Sequence, residues 1–335
     1  MLRKAFVLSI SVIFAATLVS AAGAEMWKPK KPITIIVPWS AGGSTDQVTR
    51  IVAGELEDPL GQKLVIVNQP GASGTVGTKS CMDAARDGYT WTAGAVGDLG
   101  TYVVKGFLDT KIEDWHLYLD VANVQLVSVN PATPYKDFKS LLDAFKAKPG
   151  HISVATAGEA SMGHLAMETI KKYTGIEYKH VGYDGGNPAV IATVAGETNV
   201  VPQLAVEQVD MIRAKKLRPL AVLSDQPLEL EGYGKVEPIT KWIPDLKATP
   251  AYFGIWTPKG VPAEVIETMD KMWGDVIAKS EKLKRYAKQR GAVFTPYHGK
   301  EAMDKVIPTV RFTAWVYYDA GKAKVRPDTV GIPRP

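Results

Sequence analysis

Three short segments carry most of the chemistry this sequence can be read for. The first is Val37-Pro38-Trp39-Ser40-Ala41-Gly42-Gly43-Ser44-Thr45-Asp46-Gln47, where an apolar run ends and a helical pattern begins. Gly42 and Gly43 permit positive φ and close approach of the backbone to a ligand. Ser44 with Gln47 three residues on fits a capping box, so a well-formed helix start is expected there. Free N–H groups at the positive end of a helix dipole attract an anion. Thr156-Ala157-Gly158-Glu159-Ala160-Ser161 repeats the pattern ahead of a helix that carries His164. Tyr183-Asp184-Gly185-Gly186-Asn187-Pro188-Ala189 repeats it again, with Asn187 as the expected N-cap and Pro188 at the first helical position. One such start is as readily an ordinary tight turn. Three of them, at strand ends in both halves of the chain, point to an anion held by backbone donors and a few hydroxyls, since open α/β sheets bind ligands beyond those ends.

Catalytic alternatives find little support. The sequence has no G-x-S-x-G, H-E-x-x-H, G-x-x-x-x-G-K-[ST] or G-x-G-x-x-G motif. Gly71 to Ser80 approaches a phosphate loop but has the wrong spacing. Histidines stand at 116, 151, 164, 180 and 298, with no pair at metal-ligand spacing, so no metal and no cofactor are expected. Asp46 is expected to bond loop donors, with contact to a ligand hydroxyl or amine as the alternative. His164 reads as a helix-face hydrogen-bonding residue rather than a base. A hydrolase built on Ser44 or Ser161 would need a base and an acid that the sequence does not indicate. Cys81, the only cysteine, excludes an intramolecular disulfide and reads as a small buried hydrophobe. The basic run Lys282, Lys284, Arg285, Lys288 and Arg290 reads as a solvated helix face, with a docking patch for a membrane partner as the competing reading.

The elements that must position these loops alternate between strand and helix. Strands are expected at Ile33–Trp39, Lys63–Asn68, Tyr89–Ala93, Val124–Val129, Ile152–Thr156, Lys179–Tyr183, Val200–Leu204, Arg218–Ser224 and Tyr252–Thr257. Helices are expected near 45–57, 75–85, 161–173, 188–196, 207–216, 262–278, 281–289 and 302–320. Asp225 to Pro250 shows no clear period and reads as a long connection. Such alternation predicts mostly parallel sheets covered on both faces, in two α/β lobes with a cleft between them. The late strand and C-terminal helices are expected to return to the first lobe.

Composition agrees with this class and narrows it. The chain has 335 residues, enough for about two domains, with 46% hydrophobic and 22% charged residues. Its net charge of +5 is not clustered with aromatic residues, so nucleic acid is not an expected partner. Arg3 and Lys4 precede an apolar run from Ala5 to Val19, and Ala22-Gly23-Ala24 supplies small residues for cleavage. Residues 1–24 therefore read as a signal peptide cut near Ala24, and the chain as exported to the periplasm. The apolar run is shorter than the ~20 residues of a spanning helix.

The ordered motifs also resemble a family. Pro32 to Asp46, Val67-Asn68-Gln69-Pro70-Gly71-Ala72-Ser73-Gly74, Asp87-Gly88-Tyr89-Thr90, Lys148-Pro149-Gly150, Gly163-His164-Leu165-Ala166, Tyr183 to Ala189, Leu220 to Ser224 and Trp256 to Pro262 are similar to the substrate-binding proteins of tripartite tricarboxylate transporters, the Bug or TctC type. That resemblance implies a two-lobed periplasmic binding protein of type II-like α/β fold. Its lobes would comprise 25–125 with 244–335, and 126–243. It implies a small organic carboxylate as ligand and the membrane permease components of the transporter as partners, or a sensor protein in a signalling variant. A monomer is expected. By the same resemblance the ligand contacts would come from Trp39, Ser40, Ala41, Gly42, Gly43, Ser44 and Asp46 on one side. Ser161, His164, Tyr183, Gly185, Gly186, Pro188 and Ala189 would supply them on the other. Three departures bear on the far end of the ligand. Asp184 stands where a basic residue is usual, Gln69 where arginine is common, and Gly196-Glu197-Thr198-Asn199 replaces a Gly-Gln-Val-Asp run.

Overall fold

The computed structural model describes residues 26–335, so the expected signal peptide lies outside the described residues. The first half-lobe runs β1 (Ile33–Val37), α1 (Ser44–Leu60), β2 (Leu64–Asn68), α2 (Thr75–Asp83) and β3 (Thr90–Ala95), then two single turns, α3 (Val96–Leu99) and α4 (Tyr102–Lys105), and β4 (Trp115–Asn123). The chain crosses at Val124-Gln125 into β5 (Leu126–Val129), α5 (Phe138–Ala147), β6 (Ser153–Thr156), α6 (Met162–Thr174), β7 (Lys179–Gly182), α7 (Gly186–Ala195), β8 (Val200–Val201), α8 (Ala205–Arg213) and β9 (Arg218–Val222). A small hairpin, β10 (Leu228–Leu230) and β11 (Gly234–Val236), precedes the return through β12 (Ala251–Pro258), α9 (Ala263–Asp275), α10 (Glu281–Arg290), β13 (Val293–Phe294) and α11 (Gly299–Asp319).

Two mixed sheets result. One has the order β13-β4-β12-β3-β1-β2, the other β7-β6-β8-β5-β9. β1 lies parallel to both β2 and β3, and β12 inserts antiparallel between β3 and β4. In the second sheet β6 is parallel to β7 and β8, while β5 runs antiparallel to β8 and β9. Ile33, Ile35, Ile36 and Val37 are all buried, as expected of a strand covered on both faces. α1 lays Val48, Val52, Leu56 and Leu60 on the first sheet at four-residue spacing, and Gly61 ends it in the left-handed conformation. The apolar core around Trp91, Phe253 and Trp273 under the first sheet continues across the cleft to Ala157, Met162, Leu165, Leu204 and Val206, whereas the core around Phe138, Val154 and Ile170 belongs to the second lobe.

Several expectations change. β4 is not legible as a strand in the sequence, because its interior residues from Leu117 to Asn123 are all buried and Asp120 interrupts the apolar run. The predicted strand from Val124 in fact begins at Leu126, past the crossing. α5 was also not anticipated among its flanking prolines. The supposed connection 225–250 holds the β10–β11 hairpin and a short 3-10 turn at Ile239–Lys241. Cys81 is fully buried, and it and Trp256 belong to a separate apolar cluster of the first lobe with Trp115 and Leu119. The basic run is a solvated face in part: Lys282 pairs with Glu55 at 2.8 Å, whereas Arg290 reaches across to Asp210 and to the Val206 carbonyl, each at 2.9 Å.

Candidate functional site

The loop after β1 is held from behind. Gly42 takes φ +79, and its N–H donates to Asp46 Oδ2 at 2.9 Å. The same carboxylate accepts a two-pronged contact from Arg50, at 3.0 and 2.9 Å, and a hydrogen bond from Asn68 Nδ2 at 3.0 Å. Burial alone would raise the Asp46 pKa, but these donors outweigh it and hold it below the ordinary carboxylate value. Gln47 Nε2 donates to the Gly42 carbonyl at 2.7 Å. The expected capping box does not form. Gly43, not Ser44, is the N-cap, with an ordinary φ of −74 and no side-chain cap, so Ser44 is the first helical residue. Of the two glycines only Gly42 uses the left-handed region.

In the loop after β6, Ser161 is the N-cap of α6. Its Oγ accepts from His164 N–H at 3.3 Å and donates to the Gly158 carbonyl at 2.7 Å. The His164 ring turns away from the cleft. Its Nδ1 lies 2.6 Å from the Glu159 carbonyl, its Nε2 is 3.5 Å from Glu168 Oε1, and it stacks on His180 at 4.5 Å between centroids. Burial first, and His164 second, push His180 down to about 4. After β7, the N-cap of α7 is Gly185 in extended backbone, not Asn187, which lies inside the first turn with Pro188 after it.

These loops face each other across the cleft. Ser40 donates from both N and Oγ to the Asp184 carbonyl, at 3.0 and 2.9 Å. Glu159 N–H donates to Ser73 Oγ at 3.0 Å, and Tyr317 Oη to the Ser161 carbonyl at 3.2 Å. The lobes are thus in contact, and between them lies a pocket of about 20 Å³, room for roughly one water. Trp39, Gly43, Ser44, Thr45 and Phe253 line it from the first lobe; Ala157, Ser161, Met162, Gly186, Gln203, Leu204 and Glu207 do so from the second.

The expected residues therefore divide. Trp39, Gly43, Ser44, Ser161 and Gly186 line the pocket. Ser40 and Gly185 close its edge, since a Cβ on Gly185 would stand 3.0 Å from Ser40 Cβ. Ala41 and Gly42 are exposed at the rim. Asp46 and His164 brace the loops from behind. Ala189 is wholly buried in the second-lobe core, with Tyr183 packed against that core and Pro188 half-buried.

The residue that sequence reasoning missed is Glu207. It stands in the first turn of α8, and its Oε1 accepts the Ser44 N–H at 3.0 Å. The N-terminus of α1, read as an anion site, thus already holds a carboxylate of the chain's own. Gly186 leaves room for it: a Cβ there would lie 2.2 Å from Glu207 Cδ, Oε1 and Oε2. Part of the residue's stem stays exposed while Oε2 is enclosed, and burial raises the pKa despite the hydrogen bonds from Ser44. An acid at the third position of a helix looks in sequence like ordinary dipole compensation, so nothing local marks it. Gln203, Met162 and Phe253 were equally unmarked.

Two α/β lobes meeting at a cleft lined by strand-end loops define a periplasmic-binding-protein fold. The chain belongs to the tripartite tricarboxylate transporter family of receptors, TctC, whose pattern it matches over residues 48–289. It is 30% identical over 289 residues to Protein BugT of Bordetella pertussis, covering 84% of this chain and 87% of that one. A solved periplasmic transporter structure superposes with TM-score 0.78 at 28% identity, covering 87% of this chain and 97% of the other. Rpa4515 of R. palustris, solved with adipate, superposes with TM-score 0.78 at 23% identity, covering 88% and 98%. This chain is a solute receptor of that family.

Proposed function

We propose that the protein captures a small organic acid in the periplasm, between a lobe of 25–125 with 244–335 and a lobe of 126–243, and presents it to the membrane components of a tripartite transporter. The observation that carries this is the convergence of three strand-end loops, from both lobes, on one pocket. The adipate bound by Rpa4515 is a ligand of the matching chemical class. Binding without catalysis is the favoured reading, because Ser161 Oγ is committed to capping α6 and the ring of His164 faces Glu159 and Glu168 rather than a serine. Among the described residues no three of His, Cys, Asp and Glu stand together as a metal site, and no helix is long and apolar enough to cross a membrane.

The test is a thermal-shift screen of the purified protein against organic acids, bare and amino- or amide-bearing. A ligand at about 100 times its Kd adds ~2.7 kcal/mol of stability. Small-angle scattering should then show the lobes holding, or adopting, the closed arrangement with ligand. A screen in which no organic acid raises the melting temperature overturns the proposal.

A further inference from the structure

The pocket's polar inventory holds one charged group, and it is an acid. No Lys, Arg or His lines it, and its single charged residue is Glu207. One oxygen of that carboxylate is satisfied by Ser44 N–H, while Oε2 is enclosed and has no hydrogen-bond partner. Gln203, only 2% exposed, lines the same pocket, and its Nε2 is likewise enclosed without a partner. A buried polar atom left unpaired is costly, and a carboxylate more so. The pocket therefore presents one unmet acceptor, which is acidic, and one unmet donor.

We infer that Glu207 makes this receptor select ligands that carry an N–H donor beside a carboxylate or carbonyl oxygen, that is amino acids and carboxamides, over di- and tricarboxylates that lack one. The inference rests on the receptor reading above and concerns which organic acids that cleft accepts. A ligand ammonium or amide N–H would meet Glu207 Oε2, and its neighbouring oxygen would accept from Gln203 Nε2. A bare carboxylate in the same place would face Glu207 with no cation between them. Selectivity here would come as much from repelling the wrong ligand as from holding the right one. Because the space is small with the lobes in contact, a ligand enters as they part, and Glu207 on α8 closes onto it with the second lobe.

Calorimetry on matched pairs tests this: succinate against succinamate and aspartate, and glutarate against glutamate and glutamine. The wild-type protein should bind an amino or amide member about ten- to a hundredfold more tightly than its bare counterpart, the range of one charge-assisted hydrogen bond. Glu207→Gln, which keeps the shape and the contact to Ser44, should abolish or reverse that ranking. Equal affinity for bare diacids in the wild type, or an unchanged ranking in the variant, overturns the inference while leaving the receptor reading intact. Should the variant not fold, the wild-type comparison still decides. If none of these six acids binds the wild type, the inference is overturned, and the thermal-shift screen decides the receptor reading separately.

Discussion

Gly186→Ala gives a prediction whose sign depends on a residue in another helix. At the first position of α7 an alanine is intrinsically better than glycine, by up to about 0.5–1 kcal/mol. Against this, the new Cβ would sit 2.2 Å from three atoms of the Glu207 carboxyl, more than 1 Å inside an ordinary contact. The carboxyl ends a flexible side chain, so it can swing away, but only by giving up its 3.0 Å bond from Ser44. A hydrogen bond to a charged group contributes about 1.5–3 kcal/mol. The net expectation is destabilisation by roughly 1–2 kcal/mol in the wild-type background. With Glu207→Ala already in place the clash disappears, and Gly186→Ala should stabilise slightly. The coupling between the two positions should thus be about 1.5–3 kcal/mol, measured by a double-mutant cycle of urea unfolding followed by both circular dichroism and tryptophan fluorescence. Gly43→Ala serves as the control. Its Cβ would approach only to 3.4 Å from the Ser40 carbonyl and 3.6 Å from Glu207 Oε1, at an ordinary φ. A Gly186→Ala protein more stable than wild type, or a coupling below about 0.5 kcal/mol, would refute the placement of Glu207 at the α1 N-terminus.

Three further outcomes are expected. Asp46→Ala should destabilise by about 1–3 kcal/mol at pH 7, since Gly42 N–H, Arg50 and Asn68 all lose their acceptor. Because the folded pKa of Asp46 is lowered, that contribution is fully present above its unfolded value of 3.8 and is lost as pH falls through the lower folded value, so the gap between thermal melts of variant and wild type should narrow as the solution is acidified below 3.8. Asp120 is fully buried in β4, and burial pushes it up to about 8 despite the bond from Val121 N–H. The raised pKa means the unfolded chain ionises first, so stability declines as pH rises from about 4 to 8; Asp120→Asn should remove that decline and raise the melting temperature at pH 8 but not at pH 4. The Cys81 thiol, buried and pushed up to about 12, should resist iodoacetamide in the native protein at pH 8 and react once the protein is unfolded in urea; native alkylation at the unfolded rate would contradict its burial.

What the sequence revealed and what it hid divide along physical lines. Strand-to-helix loops are local objects, and glycine, serine and proline at fixed offsets mark them, so the loops after β1, β6 and β7 could be found before their meeting at one cleft was seen. The internal chemistry of the first loop was less legible. Ser44 and Gln47 fit a capping box by type, yet Asp46 takes the Gly42 N–H and sets the helix start one residue earlier. β4 escaped because a strand between two neighbours, with both faces covered, loses its alternation. Glu207 escaped for a different reason: its contact to Ser44 spans 163 positions, and no local pattern encodes it.

The place of β12 has a consequence for how the chain comes to fold. β3 and β4 are near neighbours in sequence, yet they do not pair, because β12 lies between them and Gly94 meets Gly254 from roughly 160 residues away. The second sheet, by contrast, is assembled from a continuous stretch, β5 to β9. During synthesis that stretch can collapse on its own, while the first sheet waits as two separated pieces for a strand made late. Until it arrives, β3 and β4 each present an open edge able to recruit strands of other chains. A chain that stops before Ala251 would therefore be a sticky fragment rather than a smaller receptor.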